Sequence, residues 1–232
     1  MKKVLAIDSR VSNEILENIK KINNNIVLIQ KNPLFDEAVS AHPDMNILQV
    51  KDRIFTYAGT NVRLRNTSKI KSTKRGKLQY PEDVSLNAVC ISNDFICRKK
   101  SVDQVILEHA ANIGMNIIDI NQGYVKCNIA VVDEENKAVI TEDEGIHKTL
   151  TENGYKVLLL KTHDVLLEPY KYGFIGGATG LYENTLLFTG NVKKHAEYER
   201  MKAFCDFFGV EIKSLSKDYL YDYGSILTIF TE

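Results

Sequence analysis

The segment DVSLNAVCISNDFICRKKSVDQVILEHAANIGMNIIDINQ, residues 83–122, holds one complete structural unit. Its apolar run Leu86 to Ile91 meets the polar turn Ser92-Asn93-Asp94 and then a second short run, Phe95 to Cys97. Two short apolar runs around a polar turn form the pattern of a β-hairpin. Ser101, with Gln104 three residues on, has the capping-box pattern of a helix start. Val102, Val105, Ile106 and Ile113 fall at helical spacing, and Gly114 suits the helix end. Met115 to Ile120 then reads as a buried strand. The order is strand, hairpin turn, strand, helix, strand.

The same order recurs along the chain. Ile129–Val132 and Ala138–Ile140 form the next hairpin, followed by a helix from about Glu142 to Gly154 and a strand at Val157–Leu160. A third copy uses Phe174 and Ile175, then Leu186–Phe188, a helix over His195–Phe208 and a strand at Val210–Leu215. Upstream, Met45–Val50 and Ile54–Tyr57 form a hairpin, but residues 60–80 follow without a clean helix. The two chain ends complete one more unit between them. Val4–Ile7, a helix over Ser12–Ile22 and Ile26–Ile29 lack a first strand, and Gly224–Phe230 is a strand without a helix. Val4–Ile7 is therefore expected beside Ile226–Phe230, giving five ββαβ units in an α/β chain read as a single domain over residues 1–232.

Asn46, Asn87 and Asn128 occupy the same place in successive units, 41 residues apart in both intervals. Asparagine is poor in strands, so the register calls for a reason. One is that these side chains tie down strand starts through hydrogen bonds to backbone; another is that they line a shared central cavity.

The composition limits the classes of function. The chain has 232 residues, of which 44% are apolar and 26% charged, with thirty basic and thirty acidic side chains. That balance gives no global pull toward nucleic acid or an acidic membrane. No apolar run approaches a membrane span. Cys90, Cys97, Cys127 and Cys205 show no metal-type spacing, and no cofactor motif is present: the glycine-rich stretch at 174–180 lacks both phosphate-loop and dinucleotide spacing. Reduced cysteines imply a cytoplasmic setting.

Five such units around an axis, with the termini closing one of them, resemble the pentein fold. This is the α/β propeller of guanidino-group-modifying enzymes, which include arginine deiminases, dimethylargininases and amidinotransferases. A ribosome-binding translation initiation factor uses a related propeller without catalysis. The resemblance implies a cysteine nucleophile in the last unit, a histidine in the third, and carboxylates that grip a planar guanidinium. This chain departs from that plan. No cysteine follows Cys205, and the stretch from Gly123 to Asn128 holds no histidine.

A rotated arrangement remains. His42 and Cys127 are two units apart, as the family's histidine and cysteine are, so fivefold pseudo-symmetry lets them face each other across the centre. Cys127 is the candidate nucleophile, His42 its proton-transfer partner, and Asp44 a carboxylate orienting ligand or histidine. Lys126, beside Cys127, lowers the thiol pKa if their side chains meet. Asn46, Asn87, Asn128, Asp222 and Ser225 are candidate ligand-binding residues, and Glu82, Asp83, Asp44 and Asp222 form an acidic ring at one mouth. The expected function is binding, with or without modification, of a small guanidine- or amine-bearing ligand in a central pocket. The alternative is a non-catalytic propeller docking RNA or a ribosomal or other protein partner through the basic segment 63–77. That segment carries seven basic residues and no acid, but its lack of interleaved aromatics disfavours nucleic acid.

Overall fold

The computed structural model describes residues 2–57, 59–62, 64, 66–70 and 76–231. Strand β1 (Lys2–Asp8), helix α1 (Asn13–Lys20) and strand β2 (Ile26–Ile29) come first. A one-turn helix, α2 (Pro43–Asn46), leads into the hairpin β3 (Ile47–Val50) and β4 (Arg53–Tyr57), and β5 (Thr67–Ile70) completes that sheet. The next unit comprises β6 (Val89–Ile91), β7 (Asp94–Cys97), α3 (Gln104–Asn112) and β8 (Asn116–Asp119). A second one-turn helix, α4 (Val125–Asn128), precedes β9 (Ala130–Asp133), β10 (Ala138–Thr141), α5 (Glu144–Glu152) and β11 (Lys156–Leu159). Then follow β12 (Thr179–Tyr182), β13 (Thr185–Phe188), α6 (Tyr198–Phe207), β14 (Glu211–Ser214) and finally β15 (Leu227–Thr231).

These strands make five three-stranded sheets: β15-β1-β2, β3-β4-β5, β6-β7-β8, β9-β10-β11 and β12-β13-β14. In each, the first strand runs antiparallel to the second and the third parallel to it. The chain ends pair as the repeat requires, with Val4 opposite Ile229 and Ala6 opposite Leu227.

Helix packing closes the ring. Ile106 and Ala110 of α3 pack on Phe55 and Tyr57 of the preceding sheet as well as on Phe95 of their own. Ile146 and Leu150 of α5 likewise reach Ile91 and Ile96, and Met201 and Cys205 of α6 reach Ala130 and Ile140. For α1 the preceding unit is the last one, and Ile15 and Ile19 meet Leu187 and Leu215. The helixless sheet β3-β4-β5 is served instead by Val62, which joins Ala6, Ile29, Ile54 and Ile229 in one cluster. Apolar burial, the dominant favourable term in folding, is thus shared between neighbours all the way round. Among the described residues, no helix is long and apolar enough to cross a membrane.

Several local expectations change. Asn46 and Asn128 end one-turn helices rather than opening strands, and their side chains donate back to the carbonyls of His42 (2.9 Å) and Tyr124 (2.8 Å), four residues earlier. Helix α3 is capped by Asp103, which accepts from the Val105 N–H at 2.9 Å, while Ser101 Oγ has no partner. The carboxylate takes the cap because the helix starts two residues later than the capping-box reading. Phe174 and Ile175 belong to a turn before β12 and not to a first strand. The basic segment contains strand β5, with Lys69 opposite Thr56, whereas Arg63, Arg65, Lys71, Lys74 and Arg75 lie outside the described residues.

Candidate functional site

The first strands of all five sheets line one mouth of the axis, a cavity of about 540 Å3 bounded by Ile47, Val89, Val131, Leu181 and Ile229 among others. The opposite mouth opens into a second cavity of about 580 Å3. His42, Asp83, Cys127 and Asp222 line this second cavity, beneath an aromatic collar of Tyr80, Tyr124, Tyr170, Tyr172 and Phe174. The thiol and imidazole chosen from the two-unit spacing therefore open onto one space, each on the segment leading into its first strand.

Cys127 Sγ donates to Asp44 Oδ2 at 3.2 Å and receives the amide of Asn87 at 3.1 Å. Asn87 Oδ1 accepts from the backbone N–H of Lys126 at 2.7 Å, so this asparagine joins its own unit to the next. On the other side Asp44 Oδ2 meets Ser225 Oγ at 2.9 Å. His42 Nδ1 lies 3.7 Å from Asp222 Oδ1. Asp222 in turn is fixed by the backbone N–H groups of Phe174 and Gly224, both at 2.9 Å. Asp44 thus serves the thiol, and Asp222 is the carboxylate that faces the imidazole.

The chain reaches these positions because two glycines allow it. A Cβ on Gly177 would come within 2.0 Å of Asp222 Oδ1, and one on Gly224 within 2.1 Å of His42 Cβ. The glycine-rich stretch packs against the carboxylate next to the site, as glycines at close backbone approach do.

Burial governs the charge state. His42, Asp44 and Asp222 are each 1% exposed. Burial pulls the imidazole down to about 3, so His42 is neutral. It pushes the Asp44 carboxyl up, and the Asp222 carboxyl up as well, with the Asp44 charge adding to the latter. The Cys127 thiol is raised by burial and then by Asp44 and Asp222. Lys126 does not reverse this. Its ammonium turns away, to Ser225 Oγ (3.0 Å) and the Ile129 carbonyl (3.3 Å). The thiol is therefore protonated and the imidazole neutral.

Among the described residues, two buried atoms of the cavity wall have no hydrogen-bond partner, His42 Nε2 and Asp83 Oδ1. Asp44 Oδ1 has none either, but Asp44 stands behind Cys127 and is absent from the cavity wall, so it is not part of the acidic ring expected at this mouth. The other oxygen of Asp83 accepts from the Tyr124 hydroxyl at 3.0 Å. An unpaired buried acceptor costs about 1–3 kcal/mol, and donors from a bound cation would relieve it. Among the remaining sequence candidates, Asn46 is buried among Asn32, Thr60 and backbone carbonyls. Asn128 bonds only to backbone, and Ser225 lies below the cavity floor between Lys126 and Asp44. Glu82 is absent from the cavity wall. The aromatic collar was not legible beforehand, since its members come from separate loops with no shared spacing. Lys77, at the rim, pairs with Asp36 at 3.3 Å. Among the described residues no group of three or more His, Cys, Asp or Glu side chains is arranged to hold a metal ion.

The model of a family of unknown function, DUF6873, matches residues 6–227. No curated protein matches the chain. Solved structures do. A mutant dimethylarginine dimethylaminohydrolase from Pseudomonas aeruginosa, complexed with citrulline, superposes with a TM-score of 0.54 at 8% identity, covering 93% of this chain and 92% of the other. An amidinotransferase of the saxitoxin biosynthetic pathway from Microseira wollei gives 0.53 at 10% identity over 91% and 88%. Agmatine deiminase from C. jejuni gives 0.51 at 12% identity over 92% and 86%. At these identities the likeness establishes the fold: the chain is a five-unit pentein propeller.

Proposed function

We propose that this chain, which belongs to the DUF6873 family, binds a small guanidine- or amine-bearing cation in the collared cavity and, where the ligand is a guanidinium, attacks its central carbon with Cys127. The observation that carries the reading is the convergence of Cys127, His42, Asp83 and Asp222 on one cavity, with Asp44 accepting from the thiol at 3.2 Å. A planar cation supplies the donor that Asp83 Oδ1 lacks, and carboxylates match its fork geometry. The aromatic collar adds cation–π attraction. Two solved neighbours carry guanidine compounds in their names, dimethylarginine and agmatine, which supports the choice of ligand class.

The arrangement suggests one balanced step. Sulfur attacks the central guanidinium carbon, forming the S–C bond, while the thiol proton passes to Asp44 Oδ2 and a C=N electron pair moves onto nitrogen. That proton then reaches the departing amine, directly or through His42, as the C–N bond breaks. Entry of the cation triggers the step. Burial first, and then Asp44 and Asp222, hold the thiol protonated; the cation's charge offsets the two carboxylates and so favours the thiolate when a target is present.

A thermal-shift series tests the reading, because a ligand that binds only the native state raises apparent stability. Agmatine, arginine and butylguanidine should raise Tm, and their uncharged urea counterparts should not. Asp222→Asn should remove the effect. Stabilisation by none of the cations, or equal stabilisation in Asp222→Asn, would overturn the proposal. Amine release by the wild type but not by Cys127→Ser separates turnover from binding alone.

A further inference from the structure

The axial neck carries Cys127 on one side and Lys126 on the other: Cys127 lines the collared cavity, whereas Lys126 lines the cavity at the opposite mouth. An ammonium has three N–H donors, and two acceptors meet them, Ser225 Oγ and the Ile129 carbonyl. No carboxylate lies within ion-pair distance of Lys126 among the described residues. Asp44 is reached only through the Ser225 hydroxyl. Burial pulls the ammonium pKa down, and Asp44, Cys127 and Asp222 act against that without direct contact.

From this structure we infer a second ligand site, in which a small organic monocarboxylate enters the mouth opposite Cys127, pairs its carboxylate with Lys126 and lays an apolar body along the strands. Three features set that chemistry. Lys126, on the wall of this cavity, offers one unmatched donor, which a carboxylate answers with a charge-assisted hydrogen bond. The walls are apolar strand faces, including Ile47, Val89, Val131 and Ile229. The rim is acidic, with Asp133, Glu134, Glu135 and Glu183; Glu183 is answered by Lys3 at 3.2 Å. Such a rim repels a second negative charge and selects against dicarboxylates. The cavity, about 540 Å3, has room for a chain of several carbons.

The two sites sit back to back and favour opposite charges. A carboxylate at Lys126 adds negative potential behind Asp44 and the thiol, so its occupancy slows thiolate formation at Cys127. The second site holds whether or not the collared cavity turns anything over, since its ligand and its cavity are different.

The probes are hexanoate, adipate and hexylamine, with binding read by calorimetry and by Tm, and Cys127 reactivity read from its iodoacetamide rate. Hexanoate should bind, raise Tm and slow alkylation of Cys127 severalfold, while adipate and hexylamine should do none of these. Lys126→Met should lose hexanoate binding. Val131→Phe, which fills the well without touching the charge, should lose it as well and serves if the lysine variant fails to fold. Protein alkylated at Cys127 should still bind hexanoate. Absence of hexanoate binding, equal binding of adipate, retention in either variant, or loss on blocking Cys127 would each overturn the inference.

Discussion

Replacing Asp44 by asparagine removes a negative charge whose oxygen lies 3.2 Å from the Cys127 sulfur, while keeping an acceptor in place for the S–H group. Two like charges 4 Å apart repel by about 4 kcal/mol at an effective dielectric near 20. At about 1.4 kcal/mol for each pKa unit, that repulsion caps the fall in the thiol pKa near three units. Two effects reduce it: burial pushes the Asp44 carboxyl up, which disfavours its charged form, and Asp222 continues to act on the thiol. One acts with it, because the nearby Lys126 charge then goes unopposed by Asp44. The net expectation is a drop of about one to two pKa units, desolvation still holding the group above the free-cysteine value. The assay is the iodoacetamide rate against pH, read by mass spectrometry on the Cys127 peptide, with Cys97 and Cys205 as buried internal controls. Iodoacetamide is uncharged, so the profile reports thiolate formation and not binding. The midpoint should move to lower pH in Asp44→Asn. A midpoint that stays in place or rises, in a variant whose circular dichroism matches the wild type, would refute the assignment of Asp44 as the group that holds the thiol proton.

Two further predictions address the ring and its buried charges. Ile229, 1% exposed and paired opposite Val4, sits where the chain ends close the ring; Ile229→Ala should cost about 2–5 kcal/mol, seen as a lower urea midpoint at unchanged slope, and a cost near zero would mean that the closing sheet adds little to the fold. Glu142 is raised by burial to about 8, its Oε2 accepting from the Ile175 N–H at 3.0 Å. A carboxyl raised above its unfolded value lends full stability below pH 4.5 and loses it as pH climbs to about 8. Glu142→Gln should therefore raise Tm more at pH 8 than at pH 5; a larger gain at the lower pH would contradict the sign.

The repeat was legible because each unit carries hairpin, helix and strand signals of sufficient length, and because Asn46, Asn87 and Asn128 mark a common register. What escaped were the one-turn helices Pro43–Asn46 and Val125–Asn128. Four residues give no helical periodicity to read, and such a turn survives only through tertiary contacts. Symmetry then located the thiol and imidazole on one cavity without any motif. It did not assign their partners. Asp44 lies two residues from His42 in sequence yet contacts Cys127, and Asp222 comes from the far end of the chain to face His42. Side-chain direction depends on the turn geometry of each unit, which spacing alone does not encode. Lys126 and Cys127, though adjacent on a one-turn helix, line opposite mouths for the same reason.

The most direct test of the central claim uses chloroacetamidine, a small electrophile that carries its own amidinium. If the collared cavity orients a planar cation over Cys127, this reagent should alkylate Cys127 far faster than it alkylates Cys90, Cys97 or Cys205, and far faster than uncharged chloroacetamide does. Agmatine should protect, and Asp222→Asn should abolish the advantage of the charged reagent. Equal labelling by the charged and uncharged reagents, or adducts spread over the other cysteines with Cys127 untouched, would contradict the account.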